Sequence, residues 1–235
     1  MRKRVLVTPG PSPVPPEVLN AIGIPVLHHR TDEYKEVLKE VYAGLRKIFF
    51  TEQPVVLFAS SGTGAMEAAV SNFVNSQDKV CVIDGGKFGA RWTEILKAYG
   101  VKNILVIEVE RGKVISREEL VSFLKENPGI NAVFTTLCET STGTRFDIEG
   151  YAQVLKDTEA ILIVDAISGL LSDPLYMDEW GVDVVVCGSQ KGMMLPPGLG
   201  FLALSKKGKK YLERSDLSKY YFDVKKHLKS LEKTD

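Results

Sequence analysis

The chain is poor in cysteine and contains no long hydrophobic run. Its 235 residues include three cysteines, Cys81, Cys138 and Cys187, which are widely spaced and odd in number. Each lies in or beside a short apolar run typical of a buried strand, so the sequence predicts reduced core thiols. This pattern suggests neither a disulfide framework nor a metal-ligand cluster.

An excess of charge of one sign is also lacking, because 30 basic residues balance 30 acidic ones. The balance gives no electrostatic reason to expect nucleic acid or an anionic membrane as a partner. The apolar stretch before Thr8 spans three residues, which is too short for a signal peptide, and no run approaches the about 20 residues of a membrane span. We therefore expect a cytoplasmic protein that acts on a small soluble substrate.

What the chain does contain is a series of short apolar runs rich in valine and isoleucine. With 44% hydrophobic residues the chain has enough apolar surface for a large α/β domain. The runs are near-continuous rather than alternating, as in strands that are covered on both faces. The predicted strands are 55–59, 80–83, 104–107, 132–136, 161–164, 182–186 and 201–204.

Segments with helical periodicity separate several of these strands. Residues 34–50 and 118–126 carry apolar side chains on one face, and 220–231 is typical of a lysine-rich amphipathic helix. Strands that alternate with helices predict an α/β fold with a mostly parallel, doubly wound sheet and helices on both faces. Ligands of such sheets bind at the carboxyl ends of the strands.

The N-terminus has a different composition, because five prolines lie close together at positions 9, 11, 13, 15 and 16. Proline disfavours regular helix and sheet, so the sequence predicts an extended arm over residues 1–25. The remaining residues, 26–235, are predicted to form the large domain.

Two residues at predicted strand ends carry the strongest chemical signal. Asp165 directly follows the strand 161–164, and Lys191 follows the strand 182–186 in a glycine-rich loop. A lysine amine that forms a Schiff base and a carboxylate that holds a pyridinium proton are what pyridoxal phosphate (PLP) requires of a protein. Taken singly, Asp165 is also typical of a helix N-cap and Lys191 of a solvated loop lysine.

Three further loops follow predicted strands. The segment 60–69 opens an alanine-rich helix with hydroxyls and glycines, which suits a phosphate site or an ordinary capped turn. Phe88 is a candidate to stack on a cofactor ring, whereas Trp92 is expected in the core, although both could form a buried helix face. The hydroxyls of 140–142 suit hydrogen bonds to a cofactor oxygen or a plain polar loop.

The order and spacing of these motifs resemble those of class V, fold-type I PLP-dependent aminotransferases, in particular the alanine:glyoxylate and serine:pyruvate branch. The resemblance extends over essentially the whole chain. The motifs that carry it are Thr8-Pro9-Gly10-Pro11, Ser61-Gly62-Thr63-Gly64-Ala65-Met66-Glu67, Lys87-Phe88-Gly89, Glu139-Thr140-Ser141-Thr142-Gly143, Val164-Asp165-Ala166, Gly188-Ser189-Gln190-Lys191 and Pro196-Pro197-Gly198.

The resemblance implies a role for each candidate residue. Lys191 is the Schiff-base lysine, and Asp165 pairs with the pyridine nitrogen. The phosphate is held by Ser61, Gly62, Thr63 and Gln190. Phe88 stacks on one face of the ring, Ile167 packs on the other, and Thr140 reaches the ring oxygen.

The activity that the resemblance implies is a ping-pong transfer of an amino group. The expected donor is a small amino acid, serine or alanine, and the expected acceptor is glyoxylate or pyruvate. Relatives form homodimers, and they continue into a smaller C-terminal domain that we expect to be absent from this chain. The alternatives are phosphoserine aminotransferase, a cysteine desulfurase-like enzyme and a non-catalytic scaffold subunit. The desulfurase pattern has one histidine directly before the Schiff-base lysine and another stacked on the ring. This chain has Gln190 and Phe88 at those positions.

Overall fold

The computed structural model describes residues 6–232, which form helices and strands in alternation over much of their length. The strands are β1 (Val55–Ala59), β2 (Lys79–Asp84), β3 (Asn103–Glu108), β4 (Ile130–Thr136), β5 (Cys138–Glu139), β6 (Thr144–Arg145), β7 (Ile161–Asp165), β8 (Val184–Gly188) and β9 (Leu199–Leu204). The helices are α1 (Pro16–Ile22), α2 (Asp32–Phe49), α3 (Gly62–Phe73), α4 (Lys87–Ala98), α5 (Arg117–Glu126), α6 (Ile148–Leu155), α7 (Met177–Trp180), α8 (Lys206–Tyr211) and α9 (Val224–Leu231).

The central sheet has seven strands in the order β1-β9-β8-β7-β4-β2-β3. β9 pairs in antiparallel fashion with both β1 and β8, and all other pairs in this sheet are parallel. Two short strands, β5 and β6, form a separate hairpin directly after β4. The predicted α/β fold with a mostly parallel sheet is therefore confirmed.

Both faces of the sheet are covered, as the near-continuous apolar runs predict. All five residues of β7 are buried. Ile161 and Ile163 belong to one hydrophobic cluster, which includes side chains of α3, α4 and α9. Leu162 and Val164 belong to the cluster on the other face, with side chains of α2, α5 and α6. Successive side chains of a strand point to opposite faces of the sheet, so a strand that is covered on both faces needs apolar residues at every position.

Each of the seven predicted strands is present, with small differences in length. The third predicted helix, over 220–231, is too long, because α9 begins only at Val224. Asp223 precedes it and accepts a hydrogen bond from Lys226 N at 3.3 Å, which is the geometry of an N-cap. The strand predicted from residue 182 begins at Val184, because Asp183 turns its carboxylate to Leu162 N at 3.0 Å.

The prediction of an extended arm over residues 1–25 needs one correction and falls partly outside the described residues. Pro16–Ile22 forms the helix α1. Proline is compatible with the first turn of a helix, where its missing N–H has no partner to lose, so the proline cluster does not prevent this helix. No residue of α1 is buried. The division into an arm and a domain stays a prediction.

The cysteines are free, and two of the three lie where the sequence predicts them. Cys81 and Cys187 are buried, and burial raises the pKa of each thiol to about 12. Cys138 is only half-buried, because it lies in the short β5 hairpin rather than in the sheet. Within residues 6–232, no helix is long and apolar enough to cross a membrane, and no group of three or more His, Cys, Asp or Glu could hold a metal ion.

A glycine lets the start of α3 rest directly on β9. A Cβ atom at Gly200 would lie 2.7 Å from the backbone oxygen of Ser61 and 3.3 Å from Ala65 Cβ. Since backbone cannot move aside as a flexible side chain can, we expect Gly200→Ala to lower the free energy of unfolding by about 1–3 kcal/mol. Urea denaturation measures this loss.

Gly44→Ala is the matched control for this substitution. Gly44 lies within α2, and a Cβ atom there would meet nothing within 4 Å. Because alanine has the higher helix propensity, this variant should gain up to about 1 kcal/mol. Equal stability of Gly200→Ala and the parent protein would contradict a close contact between α3 and β9.

Candidate active site

The candidate residues meet at the carboxyl ends of the central strands. Asp165 is the last residue of β7, and it pairs with Thr136 at the end of β4 and with Val186 near the end of β8. Lys191 follows the end of β8 by three residues, since β8 ends at Gly188. Parallel strands end at the same edge of a sheet, and this edge brings residues that are distant in sequence to one site.

The amine of Lys191 is held by two hydroxyl groups. Lys191 Nζ donates a hydrogen bond to Ser168 Oγ at 2.7 Å and to Thr140 Oγ1 at 3.4 Å, and the two hydroxyls contact each other. The side chain is half-buried, and this desolvation lowers the pKa of Lys191 in spite of the nearby charge of Asp165. A lowered pKa increases the neutral fraction of the amine, which is the form that attacks carbonyls and accepts protons.

The carboxylate of Asp165 is buried, with 4% of the residue's surface exposed. Its Oδ1 accepts a hydrogen bond from Ile167 N at 2.8 Å. Burial raises the pKa of Asp165 to about 6, while the bond from Ile167 and the positive charges of Lys191 and Arg91 act in the opposite direction. A cationic partner at this carboxylate would therefore favour its ionised form.

Phe88 lies in the first turn of α4 with its ring near Lys191. The distance from Lys191 Nζ to the ring centroid is 5.2 Å, and the guanidinium carbon of Arg91 lies 4.8 Å from the same centroid. Arg91 also donates a hydrogen bond to Thr63 Oγ1 at 3.1 Å. Trp92 is fully buried and donates from Nε1 to Thr135 O at 3.1 Å, as its predicted place in the core requires.

The start of α3 presents backbone amides at the same edge. Ser61 is the N-cap, and its hydroxyl accepts a hydrogen bond from Gly64 N at 3.3 Å. Ser61 can therefore both cap the helix and bind a phosphate, since a hydroxyl that accepts one hydrogen bond still has a proton to donate. The first amides of a helix have no partner within it, so those of Gly62 and Thr63 are suited to bind an anion.

Gln190 and Ile167 both lie against this helix start. Gln190 Oε1 is buried and has no hydrogen-bond partner among the described residues. A Cβ atom placed on Gly188 would lie 3.0 Å from Gln190 Oε1 and 3.3 Å from Gly62 N, so the two polar groups are neighbours. A Cβ atom on Gly62 would lie 2.5 Å from Ile167 Cδ1, so only glycine leaves room for Ile167 there.

The N-terminal segment contacts the loop of Lys191. Ser12 N donates to Gln190 O at 2.9 Å, and Ser12 Oγ donates to Lys191 O at 2.8 Å. A Cβ atom on Gly10 would lie 2.6 Å from Lys191 Cγ, so the Gly10 backbone packs against the aliphatic part of the lysine. This segment restricts the conformations of the Lys191 side chain from one side.

The chain matches the family model described as aminotransferase class-V over residues 5–231, nearly its whole length. A match of this extent decides the family. The chain belongs to the class V aminotransferases.

Similar proteins carry related names. The chain is 39% identical over 207 residues to a serine–glyoxylate aminotransferase of Hyphomicrobium methylovorum, with 86% of this chain and 51% of that protein covered. It is 38% identical over 235 residues to a protein of Synechococcus sp. (strain PCC 6716) named soluble hydrogenase, small subunit, with 98% and 61% covered. The crystal structure of an alanine–glyoxylate aminotransferase from Nostoc sp. superposes with a TM-score of 0.90 at 31% identity, with 96% and 60% covered.

The chain spans only 51–61% of the length of these two curated relatives. The family comparison therefore concerns this region of the longer proteins.

The structure of this class V aminotransferase region brings together the nine residues that the sequence singled out. It also adds three residues that sequence reasoning did not assign to the site, namely Ser168, Arg91 and Glu139. Arg91 follows Phe88 by three positions in a helix and so shares its face, which is a signal that the sequence does contain. Ser168 and Glu139 lie next to assigned residues, but only the tertiary structure shows where their side chains point.

Proposed function

We propose that this protein uses PLP to transfer an amino group from a small amino acid, serine or alanine, to a 2-oxo acid, glyoxylate or pyruvate. The observation that carries the proposal is the arrangement of Lys191 and Asp165 on neighbouring strand ends, where each affects the pKa of the other. PLP requires an amine that forms a Schiff base and a carboxylate that pairs with its ring nitrogen. In a class V aminotransferase, an amine and a buried carboxylate within electrostatic range match these two requirements.

The polar groups at the start of α3 suit the phosphate of PLP. Gly62 and Thr63 would donate backbone amides, and the Ser61 hydroxyl would donate its proton. The oxygen and nitrogen of a glutamine amide are interchangeable by a flip, so the unpartnered end of Gln190 can equally present N–H donors to an anion. A buried polar atom without a partner next to free helix amides supports an anion site here.

The ring would lie between Phe88 and Ile167. Phe88 offers an aromatic face, whereas Ile167 offers an aliphatic one, and both surfaces exclude water from the ring. Asp165 would accept a hydrogen bond from the protonated ring nitrogen, and the positive charge of that nitrogen favours the ionised carboxylate despite its burial. Thr140 would donate a hydrogen bond to the ring oxygen.

Lys191 is the group that would move protons. When bound, PLP supplies an electron sink that stabilises negative charge at the substrate α-carbon. Lys191 Nζ, with its lowered pKa, would accept the proton that leaves this carbon and would deliver a proton in the reverse direction. The hydroxyls of Ser168 and Thr140 hold the amine in place between these transfers.

The choice of substrates rests on the names of relatives. The relative from Hyphomicrobium is named for serine and glyoxylate, and the structure from Nostoc for alanine and glyoxylate. We propose the same classes of donor and acceptor here. We also propose a homodimer, in which a second copy would cover exposed apolar side chains such as Leu19, Ile22 and Val26.

A panel of amino donors tests this function directly. The protein is incubated with PLP and one donor–acceptor pair, namely serine, alanine or aspartate with glyoxylate, or serine or aspartate with pyruvate. We expect serine or alanine to yield its 2-oxo acid in a 1:1 ratio with the new amino acid, and initial rates to follow ping-pong kinetics. Chromatography of the products measures the ratio. If PLP binds but no donor transfers its amino group to either acceptor, the aminotransferase proposal is wrong.

A further inference from the structure

Glu139 is a buried carboxylate at the end of β5 that the proposed chemistry does not use. None of its surface is exposed. Its Oε2 accepts hydrogen bonds from Phe88 N and Gly89 N, both at 2.9 Å. Its Oε1 accepts from Ser141 N at 3.0 Å and from Ser141 Oγ at 2.7 Å. Four donors from two separate segments therefore converge on one carboxylate.

One of these segments is the start of α4, which has no cap of its own. The N-cap residue is Gly86, which lacks a side chain that could accept from the helix amides. Glu139 replaces this missing cap from another part of the chain. The remaining first-turn amide, Lys87 N, donates to Ser141 Oγ at 3.3 Å. The first three amides of α4 are thus satisfied by the segment 139–141.

The other segment contains Thr140, which lies between the two residues that cap α4. Thr140 Oγ1 accepts a hydrogen bond from Lys191 Nζ at 3.4 Å, and the Phe88 ring centroid lies 5.2 Å from the same nitrogen. A shift of Glu139 would move the aromatic ring and the hydroxyl relative to each other. One side chain therefore sets the separation of two groups that face the amine.

We propose that Glu139 is a positioning residue, which fixes the Phe88 ring and the Thr140 hydroxyl in the relative geometry that PLP requires. This inference rests on the proposed function, because it assigns the geometry to the PLP ring. Glu139 itself does not touch the reacting atoms, and it acts through the backbone of α4 and of the β5 hairpin.

The need for a carboxylate follows from the number of donors. A glutamine has one acceptor oxygen, and its amide nitrogen can only donate. In Glu139→Gln the NH₂ group must therefore face either the amides of Phe88 and Gly89 or the donors of Ser141. If the NH₂ group faces Phe88 and Gly89, two of the four hydrogen bonds are lost. If it faces Ser141, the hydroxyl can turn to accept from it, and the bond from Ser141 N is lost. At least one hydrogen bond is therefore lost in either orientation, although the side chain keeps its shape.

Binding of PLP to Glu139→Gln is the first measurement. Each lost hydrogen bond to a charged group is equivalent to about a tenfold change in an equilibrium constant, so we expect the Kd for PLP to rise by about tenfold. The matched control is Glu119→Gln, since Glu119 Oε2 also accepts from a helix-start amide, Ser116 N at 2.7 Å. Glu119 belongs to α5, so this variant should bind PLP as the parent does.

A double-mutant cycle separates positioning from a general loss of stability. If Glu139 acts through Phe88, the Kd of Glu139→Gln combined with Phe88→Leu should rise by less than the product of the two single effects. A rise equal to the product, or an unchanged Kd in Glu139→Gln, would overturn the positioning role. Should Glu139→Gln fail to fold, Ser141→Ala removes only the two hydrogen bonds of the hydroxyl, with Lys87 N and Glu139 Oε1, and should also raise the Kd.

Amide hydrogen exchange distinguishes this inference from the proposed function itself. In the protein without PLP, Glu139→Gln should accelerate exchange about tenfold at the amides of 87–89 and of 140–142 together, and Glu119→Gln should not. If the parent protein fails to bind PLP, the proposed function is wrong. Faster amide exchange at both segments in Glu139→Gln would still support the link through Glu139. Faster exchange at one segment alone would refute that link.

Discussion

Replacing Lys191 with alanine should abolish amino transfer, with a loss of at least about 10⁴-fold in kcat, since the variant has neither the nucleophile nor the proton acceptor. The amine is the group that Ser168 and Thr140 hold at 2.7 and 3.4 Å. PLP should still bind at the start of α3, but without the visible absorption band that depends on a bond to lysine. Absorbance spectra and turnover with serine and glyoxylate measure both effects.

Borohydride reduction and mass spectrometry identify the lysine that bonds to PLP. In the parent protein we expect the reduced cofactor on Lys191 and no adduct after Lys191→Ala. Lys97→Ala is the matched control, because Lys97 lies exposed on α4. It should keep the adduct and the activity. Full turnover in Lys191→Ala would refute the assignment of this residue.

Replacing Asp165 with asparagine should cost about 10²- to 10³-fold in kcat while part of the PLP binding remains. The variant keeps the shape of the side chain and can still accept from Ile167 N, but it has no charge to hold the proton of the ring nitrogen. Losses of this size are typical when one electrostatic partner of a developing charge is removed. Initial rates and PLP titrations measure the two effects separately.

Asp183→Asn is the matched control for this substitution. Asp183 is also buried, with 5% of its surface exposed, and it precedes β8 at the end of the sheet opposite to Asp165. It bonds to Leu162 N and Ser205 Oγ at 3.0 and 2.8 Å, so its loss should lower stability without changing the spectrum of bound PLP. Activity of Asp165→Asn equal to that of the parent would exclude the pyridinium role.

The pH dependence of stability provides a second measurement on Asp165. Burial raises its pKa from 3.8 to about 6 in the folded protein. The folded state then holds this proton more tightly than the unfolded chain does, so the stabilisation is present below the ordinary pKa and is lost as the pH rises towards 6. Without PLP, the free energy of unfolding of the parent should fall across this range relative to Asp165→Asn.

Much of the fold follows from local patterns. The apolar runs around 132–136 and 161–164 predict β4 and β7 almost to the residue, because strands buried on both faces cannot alternate with polar positions. The Pro-rich start is the counterexample, because Pro16 opens α1 instead of preventing it. The helix α9 begins at Val224 because Asp223 is its N-cap. The lysine-rich pattern over 220–231 obscured this short-range signal in the sequence.

The sequence by itself determined which residues are candidates for the site, because Lys191, Asp165 and the polar loops after each strand are recognisable by residue type and order. Only the tertiary structure decided how these loops are held relative to one another. Glu139 caps α4 from a strand more than forty residues further along the chain, and Ser168 meets Lys191 through the ends of two neighbouring strands. Such contacts depend on the register of the sheet and on side-chain direction, and these emerge only when the chain is packed.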